Sequence, residues 1–156
     1  MPDMLVKLYA LPDGNPDAIR LREQGVEVRR AIAPEKYLVV EWVRQQFNQH
    51  WASECEVSFT RSPVSCYVAI ASNRVLGFAC YDATMKNFFG PTGVAESERG
   101  RGIGRALLVA TLHAMRAEGY AYAIIGGVGP AEFYQKAVGA ALIDGSTPGI
   151  FGGMLR

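Results

Sequence analysis

The sequence predicts a single mixed α/β domain, in which one sheet carries helices on its faces. Residues 65–71 and 75–82 alternate in strand fashion around a three-residue turn, which predicts an antiparallel hairpin. Residues 102–118 repeat apolar side chains at helical spacing, and the apolar run 121–125 that follows is typical of a buried strand. A chain of 156 residues suits one domain with one sizeable core.

The segments before the hairpin predict shorter elements. Pro34 suits the first turn of a helix, because its missing N–H would have no partner there. The predicted elements are a strand over Leu5–Ala10, a helix over 17–24 that stops at Gly25, a strand over 26–32, a helix from Pro34 to about Phe47, and a weaker helix over 54–61.

A further strand is predicted over 86–95, and Gly90-Pro91-Thr92-Gly93 interrupts it. Proline within a strand indicates an edge or a bulge. After the strand at 121–125, the pattern predicts a short helix over 130–137 and closing strands over 140–144 and 150–155.

The composition excludes several classes of protein. The formal net charge of +1 argues against a protein that grips many phosphates of a nucleic acid. No apolar run approaches the roughly 20 residues that span a membrane, and the N-terminus has no signal-peptide pattern. We therefore expect a cytoplasmic protein.

The three cysteines, Cys55, Cys66 and Cys80, are odd in number and form no C-x-x-C pair. They argue against a disulfide framework and for a reducing compartment. The only histidines, His50 and His113, are far apart in the sequence. The sequence therefore predicts neither a metal site nor a Cys-His nucleophile.

The turn Arg99-Gly100-Arg101-Gly102-Ile103-Gly104 is the strongest candidate site. A strand precedes this turn and a helix follows it. The N-terminus of a helix exposes unpaired N–H groups with a partial positive charge, and glycines let the backbone approach a bulky anion. Arg99, Arg101 and Arg105 add fixed charge, so the turn fits a pyrophosphate.

Two classes of nucleotide-binding loop do not match this turn. A Walker A loop requires a lysine after its last glycine, and none is present. A dinucleotide-binding loop requires a third glycine where the chain has Leu107, and it follows a βαβ pattern rather than a hairpin.

The pattern R-x-x-G-x-G, after a strand that ends in Val94 and before an amphipathic helix, resembles the coenzyme A motif of the GNAT acetyltransferase superfamily. The later segment Phe133-Tyr134-Gln135-Lys136 is similar to another part of that family, and the resemblance covers about residues 26–156. It implies one acetyltransferase domain over 1–156, with residues 1–25 as an N-terminal strand-helix addition. It also implies a mostly antiparallel sheet in which two strands splay apart.

The resemblance further implies that acetyl-CoA is the cosubstrate. Its binding residues would be Val94 and the turn Arg99, Gly100, Arg101, Gly102, Ile103 and Gly104. An N–H of Thr92, Gly93 or Val94 would polarise the thioester carbonyl, because Pro91 has no N–H to donate. A primary amine of a small molecule or a protein would attack the thioester directly.

Tyr134 matches the tyrosine that protonates the departing thiolate in this family. Two neighbours depart from the family pattern: Gly127 replaces a frequent asparagine, and Gly139 lies one residue later than the usual glycine. The base is open among Glu54, Glu56, Asp82 and His50. Trp42, Trp51, Phe88 and Phe89 could wall the acceptor pocket or belong to the core.

Two hypotheses of function follow. The first is an acetyl-CoA-dependent N-acetyltransferase that uses no metal, nucleic acid or membrane. The alternative is a coenzyme A-binding sensor or interaction module without turnover. A homodimer is possible, since the N-terminal and C-terminal strands could offer free sheet edges.

Overall fold

The fold was analysed in a computed structural model that describes residues 1–156, and its centre is one seven-stranded sheet. The strands are β1 (Met4–Lys7), β2 (Glu27–Arg30), β3 (Cys66–Ala71), β4 (Arg74–Tyr81), β5 (Phe88–Val94), β6 (Tyr122–Ile125) and β7 (Ala141–Leu142). They lie in the order β2-β3-β4-β5-β6-β1-β7. Only β5 and β6 are parallel, whereas every other neighbouring pair is antiparallel. The predicted mixed, mostly antiparallel sheet is thereby confirmed.

Five α-helices connect these strands: α1 (Asn15–Glu23), α2 (Lys36–Gln46), α3 (Gln49–Ser58), α4 (Ile103–Ala117) and α5 (Ala131–Val138). The Asn48 side chain accepts a hydrogen bond from the N–H of Trp51 at 2.8 Å, and this cap starts α3 directly after α2. None of the helices combines the length and apolarity needed to cross a bilayer.

The helices pack on both faces of the sheet. On one face, α4 buries an almost continuous apolar surface that includes Leu107, Leu112 and Met115, and side chains of α1 and α5 join the same core. On the other face, α2 and α3 form a second core with side chains of β3 and β4, including Val43 and Phe78. The splayed strands therefore lie between two independently packed layers.

The first strand lies inside the sheet, between β6 and β7. Its residues pair with β6 from Met4 opposite Ile125 to Lys7 opposite Tyr122, and Met4 also pairs with Leu142 of β7. The prediction that the N-terminal strand offers a free edge is wrong, because the free edges belong to β2 and β7. Alternating burial along β1 shows which face is packed, and it carries no information about neighbours within the sheet plane.

The prediction of a closing strand over 150–155 is also wrong. The chain forms a 3₁₀ turn over Gly149–Phe151 instead, and Gly149 and Gly153 adopt φ angles of 59° and 77°. Such left-handed residues interrupt extended structure. The preceding predicted strand is present only as Ala141–Leu142.

The interruption of β5 is confirmed as a bulge. The pairing of β4 with β5 shifts register between Ala79 and Tyr81, opposite Gly90 and Pro91. A proline at this point removes one ladder hydrogen bond, and the extra residue bends the strand.

Burial of β1 makes it part of the core. We expect Met4→Ala to lower the free energy of unfolding by about 2–5 kcal/mol, because the Met4 side chain is 0% exposed and its loss leaves a cavity. Lys7→Ala, on the exposed side of the same strand, should change it by less than about 0.5 kcal/mol. Urea unfolding followed by circular dichroism measures both values. Equal effects would contradict an interior position of β1.

Candidate active site

The candidate site lies where β5 and β6 part. The two strands pair only at Phe88 with Ile124 and Phe89 with Ile125, and beyond these positions β5 continues to Val94 beside β4 alone. This divergence confirms the predicted splayed pair of strands. It leaves one side of β5 open along half of its length.

The backbone of β5 directs polar groups into this opening. The N–H of Ala95 donates to the Leu76 carbonyl at 2.9 Å, so Ala95 faces β4. Orientation alternates along an antiparallel strand, so Gly93 also faces β4, whereas Thr92 and Val94 point their N–H and C=O groups away from it. Of the three residues that were candidates to donate to a thioester carbonyl, Thr92 and Val94 have the suitable orientation.

The arginine-glycine turn joins the end of β5 to α4. Gly100 and Gly102 adopt φ angles of 82° and 79°, which only glycine reaches without strain. None of the N–H groups of residues 100–105 donates a hydrogen bond to the backbone or to a side chain. Six consecutive free donors at the start of a 15-residue helix form a cradle that fits a diphosphate.

The predicted binding residues contribute to this cradle in different ways. The Ile103 side chain is only 1% exposed, so it anchors the helix start in the core and offers only its N–H to a ligand. A Cβ added to Gly104 would lie 3.7 Å from Val94 Cγ2, which shows how closely the start of α4 approaches the end of β5. Val94 and the turn therefore form one continuous surface.

The arginines around the turn are partly neutralised. Arg101 forms an ion pair with Glu98 at 2.6 Å, and Arg105 forms one with Asp17 at 3.2 Å. Arg99 has no carboxylate partner and places its Nε 3.4 Å from the Val94 carbonyl oxygen. The side chain of Arg99 is thus the one predicted arginine free to pair with a ligand phosphate.

Arg20 adds a guanidinium group that the sequence did not indicate. It extends from α1, donates from Nη1 to the Arg101 carbonyl at 2.9 Å, and is 43% exposed, and its Nη2 lies 3.6 Å from the Asp17 carboxylate that also pairs with Arg105. Its Nη2 lies so close to the turn that a Cβ on Gly102 would be 2.5 Å away. Because 81 residues separate Arg20 from Arg101, no local sequence pattern could have linked them.

Tyr134 lies on α5 near the point where the strands part. Its ring packs edge-on against Phe89 at a centroid distance of 6.5 Å, and Phe89 is the last residue of β5 that pairs with β6. Burial raises the pKa of Tyr134, so its hydroxyl remains protonated at neutral pH. Arg105 Nη1 donates to the Ala137 carbonyl at 3.3 Å and ties α5 to the turn.

The two departures around Tyr134 have local structural roles. Gly139 ends α5 in a left-handed conformation with φ 67°, which is a usual helix stop. Gly127, with φ 57°, donates its N–H to the buried carboxylate of Asp3 at 2.9 Å. Gly127, which stands where the family often has an asparagine, is thus bound to the N-terminal segment through Asp3.

Among the candidate bases, Glu54 has the environment best suited to proton transfer. It is half-buried on α3 and accepts a hydrogen bond from the Thr84 hydroxyl, and burial raises its pKa. Glu56 is exposed and paired with Lys36, and His50 is exposed as well.

Asp82, the remaining candidate base, accepts hydrogen bonds from the Tyr120 hydroxyl and the Asn87 N–H, both at 2.8 Å. These bonds hold the loop between β4 and β5, which indicates a structural role. His113 has a similar role, because its Nε2 lies 2.8 Å from the Pro12 carbonyl oxygen.

A group of aromatic side chains covers β5 on the sheet face that packs against α2 and α3. Trp42, Phe47, Trp51 and Phe78 pack with ring centroids 4.9–6.1 Å apart. The Phe47 ring lies so close to β5 that a Cβ on Gly93 would be 2.4 Å from its Cζ. Of the other two predicted wall residues, Phe89 is core, and Phe88 packs against Gly126.

The mixed sheet with two splayed strands, and the free N–H groups at the start of α4, agree with the fold class that the sequence predicts. The acetyltransferase (GNAT) family model matches residues 29–140, and the chain therefore belongs to the GNAT family. Comparison with curated proteins found no match. The family match confirms acetyl-CoA, predicted as the cosubstrate, at the level of this family.

Three solved structures illustrate the likeness. A GCN5-related glucosamine N-acetyltransferase region of a fungal multi-domain β-N-acetylglucosaminidase has a TM-score of 0.75 at 18% identity, over 91% of this chain and 19% of that chain. A GCN5-related N-acetyltransferase from Sphaerobacter thermophilus has a TM-score of 0.65 at 18% identity, over 91% of this chain and 48% of its own. A GNAT acetyltransferase from Brucella melitensis, solved with acetyl-CoA, has a TM-score of 0.47 at 21% identity, over 60% of this chain and 70% of its own.

The chain thus spans 19% and 48% of the first two of these proteins. At 18% identity, the likeness to these two proteins shows the fold alone.

Proposed function

We propose that the chain transfers the acetyl group of acetyl-CoA to a primary amine of a small molecule or a protein. The observation that carries this proposal is the row of six unpaired N–H groups at residues 100–105, which follows the end of β5 beyond the point where β5 leaves β6. An anion site at this position holds a diphosphate at one end of the opening. The same molecule can then extend along the free side of β5.

Recognition of coenzyme A would use the turn and the strand together. The N–H groups of residues 100–105 would bind the diphosphate, and Arg99 and Arg20 would supply charge beside it. The main-chain groups of Thr92 and Val94 would pair with the amides of the pantetheine arm or with the thioester carbonyl.

The reaction then requires two proton transfers. The amine attacks the thioester carbonyl carbon, the C–S bond breaks, and the sulfur leaves as a thiolate. Tyr134, protonated at neutral pH and close to the junction of β5 and β6, is our candidate for the acid that serves this sulfur.

Glu54 is our candidate for the base that takes a proton from the acceptor ammonium. Its raised pKa makes it a better proton acceptor near neutral pH than an exposed glutamate. The aromatic group with Trp51, on the same helix, would supply an apolar wall near the acceptor.

Ligand-dependent unfolding and turnover test this proposal together. Acetyl-CoA should raise the melting temperature, with a stabilisation of about 2.7 kcal/mol at a ligand concentration of 100 times Kd, whereas NAD and ATP should not. A panel of primary amines should then release free thiol from acetyl-CoA. Stabilisation without thiol release from any amine would favour the coenzyme A-binding sensor, and stabilisation by NAD alone would overturn both functions.

Arg20 should strengthen cosubstrate binding through the turn. We expect Arg20→Ala to raise the Kd of acetyl-CoA about tenfold, because hydrogen bonds to a charged phosphate are stronger than neutral ones. Arg22→Ala is the matched control, since Arg22 is exposed on the same helix and forms no ion pair within the protein. Isothermal titration calorimetry measures both constants. A similar Kd in the two variants would remove Arg20 from the site.

Tyr134 should affect turnover far more than binding. We expect Tyr134→Phe to lower kcat by about 100-fold, because it removes the proton donor and keeps the ring that packs against Phe89. The Kd of acetyl-CoA should stay within about twofold of the original value. Steady-state kinetics and calorimetry separate these effects, and an unchanged kcat would exclude the acid role.

Glu54 should determine the acidic limb of the pH profile. A base acts when deprotonated, so kcat/KM should rise with pH through the pKa of Glu54, which burial raises above its usual range. Glu54→Gln should abolish this limb and lower kcat/KM about 100-fold. Glu56→Gln, an exposed change on the same helix, should leave the profile unaltered. An intact limb in Glu54→Gln would assign the base elsewhere.

A further inference from the structure

The three cysteines meet inside the second core. Cys55 comes from α3, Cys66 from β3 and Cys80 from β4, and all three are 0% exposed. Their Sγ atoms lie within 4.8 Å of one another. This group, which we call the thiol cluster, was not apparent in the sequence, where the cysteines are spread over 26 positions with no paired motif.

The fold brings the cysteines together through two separate contacts. Cys66 and Cys80 are direct partners across the β3–β4 hairpin. The N–H of Tyr81 donates to the Ser65 carbonyl at 3.0 Å, so the adjacent cysteine pair occupies a position without mutual backbone hydrogen bonds, where side chains are closest. Helix α3 then places Cys55 against this pair.

The cluster offers three possible metal ligands, all of them soft sulfur atoms. No histidine or carboxylate belongs to the group. Two further polar atoms lie 3.7 Å from cluster sulfurs: the Tyr67 carbonyl oxygen near Cys66 Sγ, and Ser58 Oγ near Cys80 Sγ. The Ser58 hydroxyl donates its own hydrogen to the Cys55 carbonyl. Zinc almost always takes four ligands in structural sites, whereas soft sulfur ligands also suit Cu(I).

We propose that Cys55, Cys66 and Cys80 form a three-coordinate site for one thiophilic monovalent cation of the Cu(I) type. Metal–sulfur bonds of about 2.3 Å would place the sulfurs roughly 4 Å apart. The present separations, within 4.8 Å, reach that geometry through small side-chain shifts. The site is distinct from the acetyl-CoA cradle and does not depend on the proposed transferase activity.

Binding preserves the charge of the buried cluster. One thiol proton leaves to solvent as one monovalent cation forms its sulfur bonds, and no electron is transferred. Apolar side chains, including Val43, Ala52 and Phe78, belong to the same core. Burial of an added charge there would be unfavourable, so binding that leaves the net charge unchanged is favoured.

Occupancy would link α3 to the β3–β4 hairpin. The helix carries Glu54 directly before Cys55, so the cation would also fix the helix that holds our candidate base. Because the three sulfurs are fully buried, the ion enters only when α3 opens locally, and binding should be slow.

Anaerobic titration of the reduced full chain with Ag(I), a redox-inert monovalent probe, tests the site. We expect one Ag(I) per chain by native mass spectrometry, release of one proton per ion, and a higher melting temperature. Cu(I) presented with a competing chelator should give the same stoichiometry. More than one tightly held ion per chain, or none after prolonged incubation, would overturn the proposal, as would tighter binding of Zn²⁺ than of Ag(I).

Variants assign the ion to the cluster. Cys55→Ser should lower the affinity for Ag(I) at least tenfold, and Cys66→Val, which suits a buried strand, should do the same if the helix variant fails to fold. Met85→Leu removes an exposed sulfur and should retain binding. Undiminished binding in a folded cysteine variant would place the ion elsewhere.

Discussion

The architecture depends on the pairing of β1 with β6. Strand β6 has four residues and pairs with β5 at only two of them, so β1 supplies the partner that spans its whole length. This support holds β6 in the sheet while β5 turns away toward α4. A gap between two strands can persist only if each strand is bound on its other side, by β4 for β5 and by β1 for β6.

The N-terminal segment therefore does more than extend the sheet. Asp3, only 7% exposed, accepts the Gly127 N–H beside one end of the gap, and its own N–H donates to the Ser146 hydroxyl. Arg20 reaches the turn at the other end. Both residues precede the segment that matches the family model, which begins at residue 29.

Local sequence patterns predicted those elements that are defined by a tight turn or by one buried face. The apolar repeat of α4, the hairpin and the glycine turn are each contained within a few residues, and they are present where the sequence placed them. The contribution of Arg20 and the thiol cluster depends on contacts between distant segments, and periodicity carries no information about such contacts. Glu54 and Glu56 lie on the same helix, and the tertiary packing distinguishes them: Glu54 is half-buried against Thr84, whereas Glu56 is exposed and paired with Lys36.

The pairing of Met4 with Ile125 also constrains how the protein is made. Strand β1 must wait for a partner that lies more than 100 residues later, so the sheet cannot close until β6 has been synthesised. Until then, apolar residues of β1 stay uncovered, and the hairpin of β3 and β4 is the part of the sheet that can form early. Completion of the candidate site therefore depends on the late synthesis of β6.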